Sequence, residues 1–282
     1  MRKMFGLLML SGCLLFISCK SEYEKVRTSG DAKLILNKAF EYYNKKQYLR
    51  SQGLFDLVLS SLKGDQKAEE AYFKYAYTYY HQEQFTLAAY YFKTFANTYT
   101  NSVFREEAAF MSAYSNYLQS PSYRLEQSST QTAIEEFQLF VNLFPESRRV
   151  EESNKLIDEL RRKLEEKAFA EGELYFHLRQ YQSAVLSFDN LLKDYPESPD
   201  AERVRYLIAK SDYLLSNNSV VEKKEERYME TIRRCEDFLE KYASGKYANE
   251  VKDLKKTSEE KLKEVRKVLK KSAPGTPVTA KT

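Results

Sequence analysis

Apolar positions recur with a helical period along most of the chain. The segment "FTLAAYYFKTFANTY" (85–99) carries them at steps of three and four residues: Phe85, Ala88, Phe92, Phe95, Ala96 and Tyr99. Such steps put all of them on one face of a helix. The segment 181–195 repeats the series, and the whole chain has only 8 Gly and 6 Pro. Because these residues end helices, their scarcity favours long ones. The pattern predicts an all-α fold.

Two kinds of helical segment alternate along the chain. "KAFEYYNKKQY" (38–48) recurs as "YAYTYYHQEQF" (75–85), and "EEAYFKYAYTYYHQ" (69–82) recurs as "EEAAFMSAYSNYLQ" (106–119). A second type follows each of these, as in "TAIEEFQLFVNLFPES" (132–147). Each repeat therefore has two different halves, here called helix A and helix B.

These halves resemble the tetratricopeptide repeat. Its pattern has Gly or Ala three residues before Tyr in helix A, then Ala, Phe and a later Pro in helix B. Ala184, Phe188 and Pro196 fit the second half. Five repeats can be counted from the small residue of helix A: Ala39, Ala76, Ala113, Gly172 and Ala209. We therefore predict a tetratricopeptide-repeat solenoid of five helix-turn-helix units, since such repeats must stack to bury their apolar faces.

Departures from the pattern give further predictions. Cys235 stands where the other B helices have Phe, so we expect a buried packing residue rather than a nucleophile. Insertions fall between helices A and B of repeats 3 and 5, near 120–129 and 216–225. The charged, proline-free stretch between repeats 3 and 4 predicts one long bridging helix. An apolar stripe after residue 246 predicts a C-terminal capping helix with a solvated basic face.

The amino terminus has the pattern of a secretion signal. Arg2 and Lys3 precede an apolar run that ends at Ser18 and Cys19; the run is short for a membrane span and matches a signal peptide. The placement of Cys19 resembles a bacterial lipoprotein signal, whose cysteine carries diacylglycerol and a fatty acyl chain. The alternatives are cleavage elsewhere or an uncleaved anchor, with Cys19 an incidental thiol. We expect a signal peptide (1–18) and a lipidated tether (19–30).

Residues suited to catalysis are few. His81 and His177 are the two histidines, and HExxH, CxxC and glycine-rich phosphate motifs are absent from the sequence. We expect no enzyme activity, no metal, no cofactor besides the lipid, and no small-molecule substrate. A net charge of +4 requires no nucleic acid partner.

Aromatic residues are dense in the A helices of repeats 1–3. In repeats of this kind helix A lines a concave groove, and tyrosine offers large contact area with a polar tip. We predict a peptide-binding groove lined by seven residues: Tyr43, Phe73, Tyr77, Tyr80, Phe110, Tyr114 and Tyr117. The alternative is that these side chains fill the space between helices.

The lipoprotein signal, the "FPES" and "YPES" helix ends and the bridging helix together resemble the BamD (YfiO) family. This is the lipoprotein component of the outer-membrane β-barrel assembly machinery. The resemblance implies a scaffold on the outer membrane that faces the periplasm. It also implies that repeats 1–3 (31–147) receive unfolded outer-membrane proteins. Repeats 4–5 with the capping helix (148–271) would bind the POTRA domains of the translocase, and 272–282 would be a flexible tail. The alternative is a generic tetratricopeptide lipoprotein of another cell-envelope process.

Overall fold

The computed structural model describes residues 21–62 and 67–272, and within them the chain is helical with no β-strand. The prediction of an all-α fold is confirmed. The helices, numbered here in chain order, are α1 (Glu22–Arg27), α2 (Ala32–Asn44), α3 (Tyr48–Val58), α4 (Ala68–His81), α5 (Phe85–Thr98), α6 (Arg105–Leu118), α7 (Ser128–Leu143), α8 (Val150–His177), α9 (Tyr181–Asp194), α10 (Ala201–Asn217), α11 (Val221–Lys241) and α12 (Ala248–Ser272).

The helices pair as the repeat pattern predicts. Repeats 1, 2 and 3 are α2–α3, α4–α5 and α6–α7; repeat 4 is the end of α8 with α9, and repeat 5 is α10–α11. The alanines at the small position of helix A have no exposed surface: Ala39, Ala76, Ala113 and Ala209. A small side chain is needed there because helix B packs closely against it. The fold is a tetratricopeptide-repeat solenoid with α12 as the capping helix.

The turns between helices A and B share one backbone conformation in three repeats. Lys46, Glu83 and Arg179 have φ angles of 58°, 58° and 60°. Each lies just after the end of helix A, where a left-handed residue lets the chain reverse and lets its amide reach a free carbonyl of the last turn. For Glu83 that acceptor is the carbonyl of Tyr80, at 3.0 Å.

The chain divides into two compact units within α8. The first holds described residues up to 121 and 127–160, and the second holds 122–126 and the residues from 161 onward. The predicted halves, 31–147 and 148–271, place the boundary earlier in the chain. Helix α8 spans 28 residues, which confirms the predicted bridging helix.

Phenylalanine dominates the core of the first unit. Five of its fully buried rings come from the B helices and one, Phe110, from a helix A: Phe55, Phe92, Phe95, Phe110, Phe137 and Phe140. The second unit has smaller clusters, one of which joins Cys235 to Phe238 and Val251. Cys235 is fully buried, as predicted for a packing residue, and burial raises the pKa of its thiol to about 12. The capping helix α12 buries Val251, Leu262 and Val265.

Two segments that the sequence sets apart from the repeats are largely helical. Residues 22–27 of the expected tether form α1, because Val26 is buried and the Tyr23 ring packs edge-on against Tyr42 at 5.9 Å. The expected insertion at 216–225 is largely absorbed into α10 and α11, which leaves a short turn. The signal peptide, Cys19 and most of the tail lie outside the described residues. In the part of the chain that the structure describes, every helix is too short or too polar to cross a membrane.

Candidate functional site

The A helices of repeats 1–3 bring five of the seven predicted aromatic residues to one partly exposed surface. We call this surface the tyrosine face. It consists of Tyr43 from α2, Tyr77 and Tyr80 from α4, and Tyr114 and Tyr117 from α6. All five are intermediate between buried and exposed, so each has a packed side and an open side.

His81 links repeats 1 and 2 within this face. Its ring stacks on Tyr48 at 4.2 Å between centroids and lies 5.8 Å from the ring of Tyr77. The hydroxyl of Tyr43 is 3.5 Å from Nε2 of His81. Burial lowers the pKa of His81, and the nearby ammonium groups of Lys46 and Lys74 lower it further. His81 is therefore a neutral imidazole at pH 7, and it acts as an aromatic contact.

Carboxylates on neighbouring helices hold two of the tyrosines in place. Tyr77 donates to Oε1 of Glu107 at 2.8 Å, and Nη2 of Arg149 donates to both oxygens of the same carboxylate, at 3.0 and 2.8 Å. Tyr117 donates to Oε1 of Glu159 at 2.9 Å. Burial and this acceptor raise the pKa of Tyr117 to about 12, so its hydroxyl stays a donor at physiological pH.

Tyr80 and Tyr114 are the open members of the face. Their rings contact Tyr77 and Tyr117 at 6.1 and 5.6 Å between centroids. Within the described residues neither hydroxyl has a hydrogen-bond partner, in contrast to those of Tyr77 and Tyr117. An incoming chain would thus find two rings that are already positioned and two hydroxyls that are unoccupied. This arrangement suits binding through side chains and main-chain polar groups.

Phe73 and Phe110 do not belong to the face, which corrects the prediction for these two residues. They are only 5% and 2% exposed. Phe73 is covered by Phe104, which stacks on it at 4.7 Å, and Phe110 is covered by the guanidinium of Arg149 at 4.1 Å. Each phenylalanine lies one helical turn before a partly exposed tyrosine of the face, and each is covered by a residue that immediately precedes a later helix.

Sequence reasoning missed the residues that support the tyrosines. Tyr48, Glu107, Arg149 and Glu159 reach the face from other helices or later turns. Their separations along the chain follow no short motif, so only the repeat register could have suggested them. Among the described residues no three His, Cys, Asp or Glu side chains lie close enough together to hold a metal ion.

The second unit contains a separate cluster of charges that joins repeats 4 and 5. Arg234 pairs with both oxygens of Asp189 at 3.0 and 2.7 Å, and its Nε lies 3.7 Å from Oδ2 of Asp212. Asp212 is 7% exposed, and its Oδ2 has no hydrogen bond. Burial raises the pKa of Asp212 to about 6, although Arg234 acts in the opposite direction. Asp212 occupies the helix A position that holds Tyr42 and Tyr79 in repeats 1 and 2.

Several solved structures resemble the chain at low identity. The MamA protein is 15% identical, with a TM-score of 0.31, 76% of this chain covered and 95% of that one. The TPR domain of P58(IPK) is 14% identical, with a TM-score of 0.39 and coverages of 86% and 67%. The apo form of RapI is 15% identical, with a TM-score of 0.33 and coverages of 83% and 99%. Since every TM-score is below 0.5, none of these likenesses bears on function.

No curated protein sequence matches the chain. The model of one protein family does match, and its description is YfiO, outer membrane lipoprotein. The matches cover residues 29–203 and 175–269, which together take in all five repeats and most of the capping helix. This confirms the resemblance inferred from the repeats and the signal-like amino terminus. The chain belongs to the YfiO family of outer membrane lipoproteins.

Proposed function

We propose that this protein is a scaffold of the outer-membrane β-barrel assembly machinery. In this proposal the tyrosine face receives segments of unfolded outer-membrane proteins, and repeats 4–5 with the capping helix bind the POTRA domains of the translocase. The family is one of outer membrane lipoproteins and the fold is one of protein interaction. The task is binding rather than catalysis.

The observation that carries the proposal is the pair of open tyrosines on the tyrosine face, Tyr80 and Tyr114. Nascent barrel strands alternate apolar and polar side chains and carry aromatic residues at their membrane boundaries. A row of fixed tyrosine rings with two free hydroxyls can contact the aromatic side chains and bind the unpaired backbone of such a strand. Tyrosine also loses little rotamer entropy on binding. The loss is smaller still for Tyr77 and Tyr117, because Glu107 and Glu159 already hold their side chains in place.

Attachment to the membrane is proposed to depend on a lipid at Cys19. Two acyl signals are needed for stable anchoring, because one chain alone binds only marginally. Cys19→Ala should therefore move the protein from the membrane fraction to the soluble periplasmic fraction. If the variant stays with the membrane after a high-salt wash, Cys19 is not the anchor. Lys20 follows the cysteine where an inner-membrane retention signal often has Asp, which favours the outer membrane; the protein is proposed to face the periplasm.

Affinity purification from solubilised outer membranes tests the proposal. The expected result is co-purification of the barrel-forming translocase with the full-length chain, and loss of many barrel proteins together when the chain is depleted. An eluate without the translocase, with depletion affecting a single envelope pathway, would contradict the proposal. That outcome would favour the alternative, a tetratricopeptide lipoprotein of another cell-envelope process.

A further inference from the structure

One position of helix A is buried in three repeats and exposed in another. It lies two residues after the small residue of the repeat. In repeats 2, 3 and 5 it holds Thr78, Ser115 and Ser211, and none of these has any exposed surface. Each hydroxyl donates to a carbonyl of its own helix, at 2.6 to 2.7 Å. A small, internally satisfied side chain allows another helix to pack directly on it.

The helix that packs on this side of helix A is helix B of the preceding repeat. Helix α3 packs on α4, α5 on α6, and α9 on α10. Side-chain contacts mark the same interface: Gln82 donates to Oε1 of Gln52 at 2.7 Å, and Ser112 donates to the carbonyl of Ala89 at 3.1 Å. The repeat register therefore assigns this face of helix A to a packed helix.

In repeat 4 the same position holds Leu174, and Leu178 follows one turn later. Both leucines are 56% exposed. We call this pair the leucine ridge. Repeat 1 offers the contrast, because its equivalent residues are Glu41 and Lys45, which form an ion pair at 2.6 Å. Charged residues suit a face that remains in water, whereas exposed leucines at a spacing of four suit a face that another helix covers.

The surroundings of the ridge indicate which helix would fit. Lys167 lies on the same face of α8, where its Nζ donates to the carbonyl of Leu125 at 2.7 Å and so holds the inserted loop. Between Lys167 and Leu174 lies Glu171, which is exposed. Within the described residues Glu171 has no ion pair. The ridge thus combines two apolar side chains with one unpaired negative charge, about one helical turn away.

We propose that the leucine ridge binds an amphipathic helix of a partner protein. Apolar residues of that helix, spaced three or four apart, pack over Leu174 and Leu178, and a Lys or Arg pairs with Glu171. The partner helix takes the place that a preceding helix B takes in repeats 2, 3 and 5. The site is in the second unit and is independent of the tyrosine face, so it goes beyond the peptide-binding role proposed above.

A designed peptide tests the proposal directly. The probe is a fluorescein-labelled helix of about 18 residues, long enough to be partly helical in water. It consists of Ala, Gln and Lys, with leucines at i, i+4 and i+7. Its binding to the full-length protein is measured by fluorescence anisotropy. Leu174→Gln with Leu178→Gln should weaken binding by roughly tenfold or more, since the apolar contacts of two leucines with the peptide are lost and no charge is added that would attract its lysines.

Matched controls distinguish binding of the peptide at the leucine ridge from nonspecific binding elsewhere on the protein. Leu186→Gln changes a leucine of the same repeat that is 64% exposed on helix B, and it should leave affinity unchanged. Glu171→Lys should weaken binding of the lysine-containing peptide and strengthen binding of the same peptide with Glu in place of Lys. Circular dichroism melts confirm that each variant is folded.

Two results would overturn the proposal: equal affinity for the double ridge variant and the wild type, or an equal loss in Leu186→Gln. A failure of the ridge proposal can be distinguished from a failure of the function proposed above by a second binding measurement. The ridge variants should bind an aromatic-rich strand peptide as the wild type does, because that peptide is assigned to the first unit.

Discussion

The hydroxyl of Tyr77 donates to Oε1 of Glu107 at 2.8 Å and so joins helix A of repeat 2 to helix A of repeat 3. Tyr77→Phe keeps the ring and removes this bond. We expect the free energy of unfolding to fall by about 0.5–1.5 kcal/mol, the usual net value of one such hydrogen bond. Urea denaturation measures the change. Tyr80→Phe is the matched control on the same helix, since its hydroxyl has no partner among the described residues; equal losses in both variants would contradict the assignment.

Truncation of the open tyrosines should separate binding from stability. Tyr80→Ala combined with Tyr114→Ala should weaken binding of an aromatic-rich strand peptide several-fold, because aromatic contacts contribute about 0.5–1.5 kcal/mol each beyond area burial. The melting temperature should change by only a few degrees, because both side chains are partly exposed. A large drop in melting temperature would show that they belong to the core.

Phe73→Ala provides the opposite case. Its ring is 5% exposed and contacts Phe92, Phe95 and Phe104. We expect a loss of about 3–5 kcal/mol of unfolding free energy, the range for large-to-small changes at buried aromatic positions. Thermal and urea unfolding would check this. If the variant kept its stability and lost peptide binding instead, Phe73 would contribute to the peptide-binding surface and not to the core.

Gly172→Ala should destabilise the protein even though four of the five repeats have Ala at this position. A Cβ built on Gly172 lies 2.4 Å from Cε1 of Phe188, and Phe188 is fully buried. Overpacking of this kind costs about 1–3 kcal/mol, which outweighs the gain of about 1 kcal/mol from helix propensity.

Gly53→Ala is the control for this substitution. Its Cβ would meet the end of the Tyr23 side chain, which can rotate away. We expect a neutral or slightly stabilising effect. A stabilised Gly172→Ala variant in the same unfolding experiments would show that α9 can shift away from α8.

Asp212 should make stability depend on pH in a defined direction. Its pKa rises from 3.8 in the unfolded chain to about 6 in the folded protein, so the folded state holds the proton more tightly. The resulting stabilisation is complete below about pH 4 and is lost as the pH rises through about 6. Asp212→Asn removes this dependence.

The comparison is made between the unfolding free energies of wild type and Asp212→Asn across pH 4 to 8. The difference should shift in favour of the variant as the pH rises, by about 1–3 kcal/mol, since one pKa unit corresponds to about 1.4 kcal/mol. If the unfolding free energies of the two proteins differed by the same amount at every pH, the pKa of Asp212 would not be raised in the folded protein. Arg234, Arg233, Asp189 and Glu230 are the charged groups around Asp212, and they are unchanged in both proteins.

The helical period of the sequence is sufficient to predict the architecture. Spacings of three and four residues depend on backbone geometry alone, so the five hairpins, the bridging helix and the burial of Cys235 follow from it. The small residues of helix A mark the repeats because only close helix packing requires them.

Side-chain depth could not be predicted in the same way. Phe73 and Tyr77 share one helical stripe, yet Phe104 covers the first and leaves the second partly open. That difference is decided by a turn residue from the next repeat, which no local pattern encodes. The same holds for Leu174, because the position of a leucine along a helix does not by itself show that its side chain is exposed.

The left-handed turns at Lys46, Glu83 and Arg179 also have a practical use. All three side chains are exposed to water, while the same pair of backbone hydrogen bonds, donated by amide N–H groups, fixes the turn in each repeat. A spectroscopic label at any of these positions would be attached to a well-ordered backbone without disturbing the core. Repeats 1, 2 and 4 thus each carry a position at which the motion of that repeat could be measured.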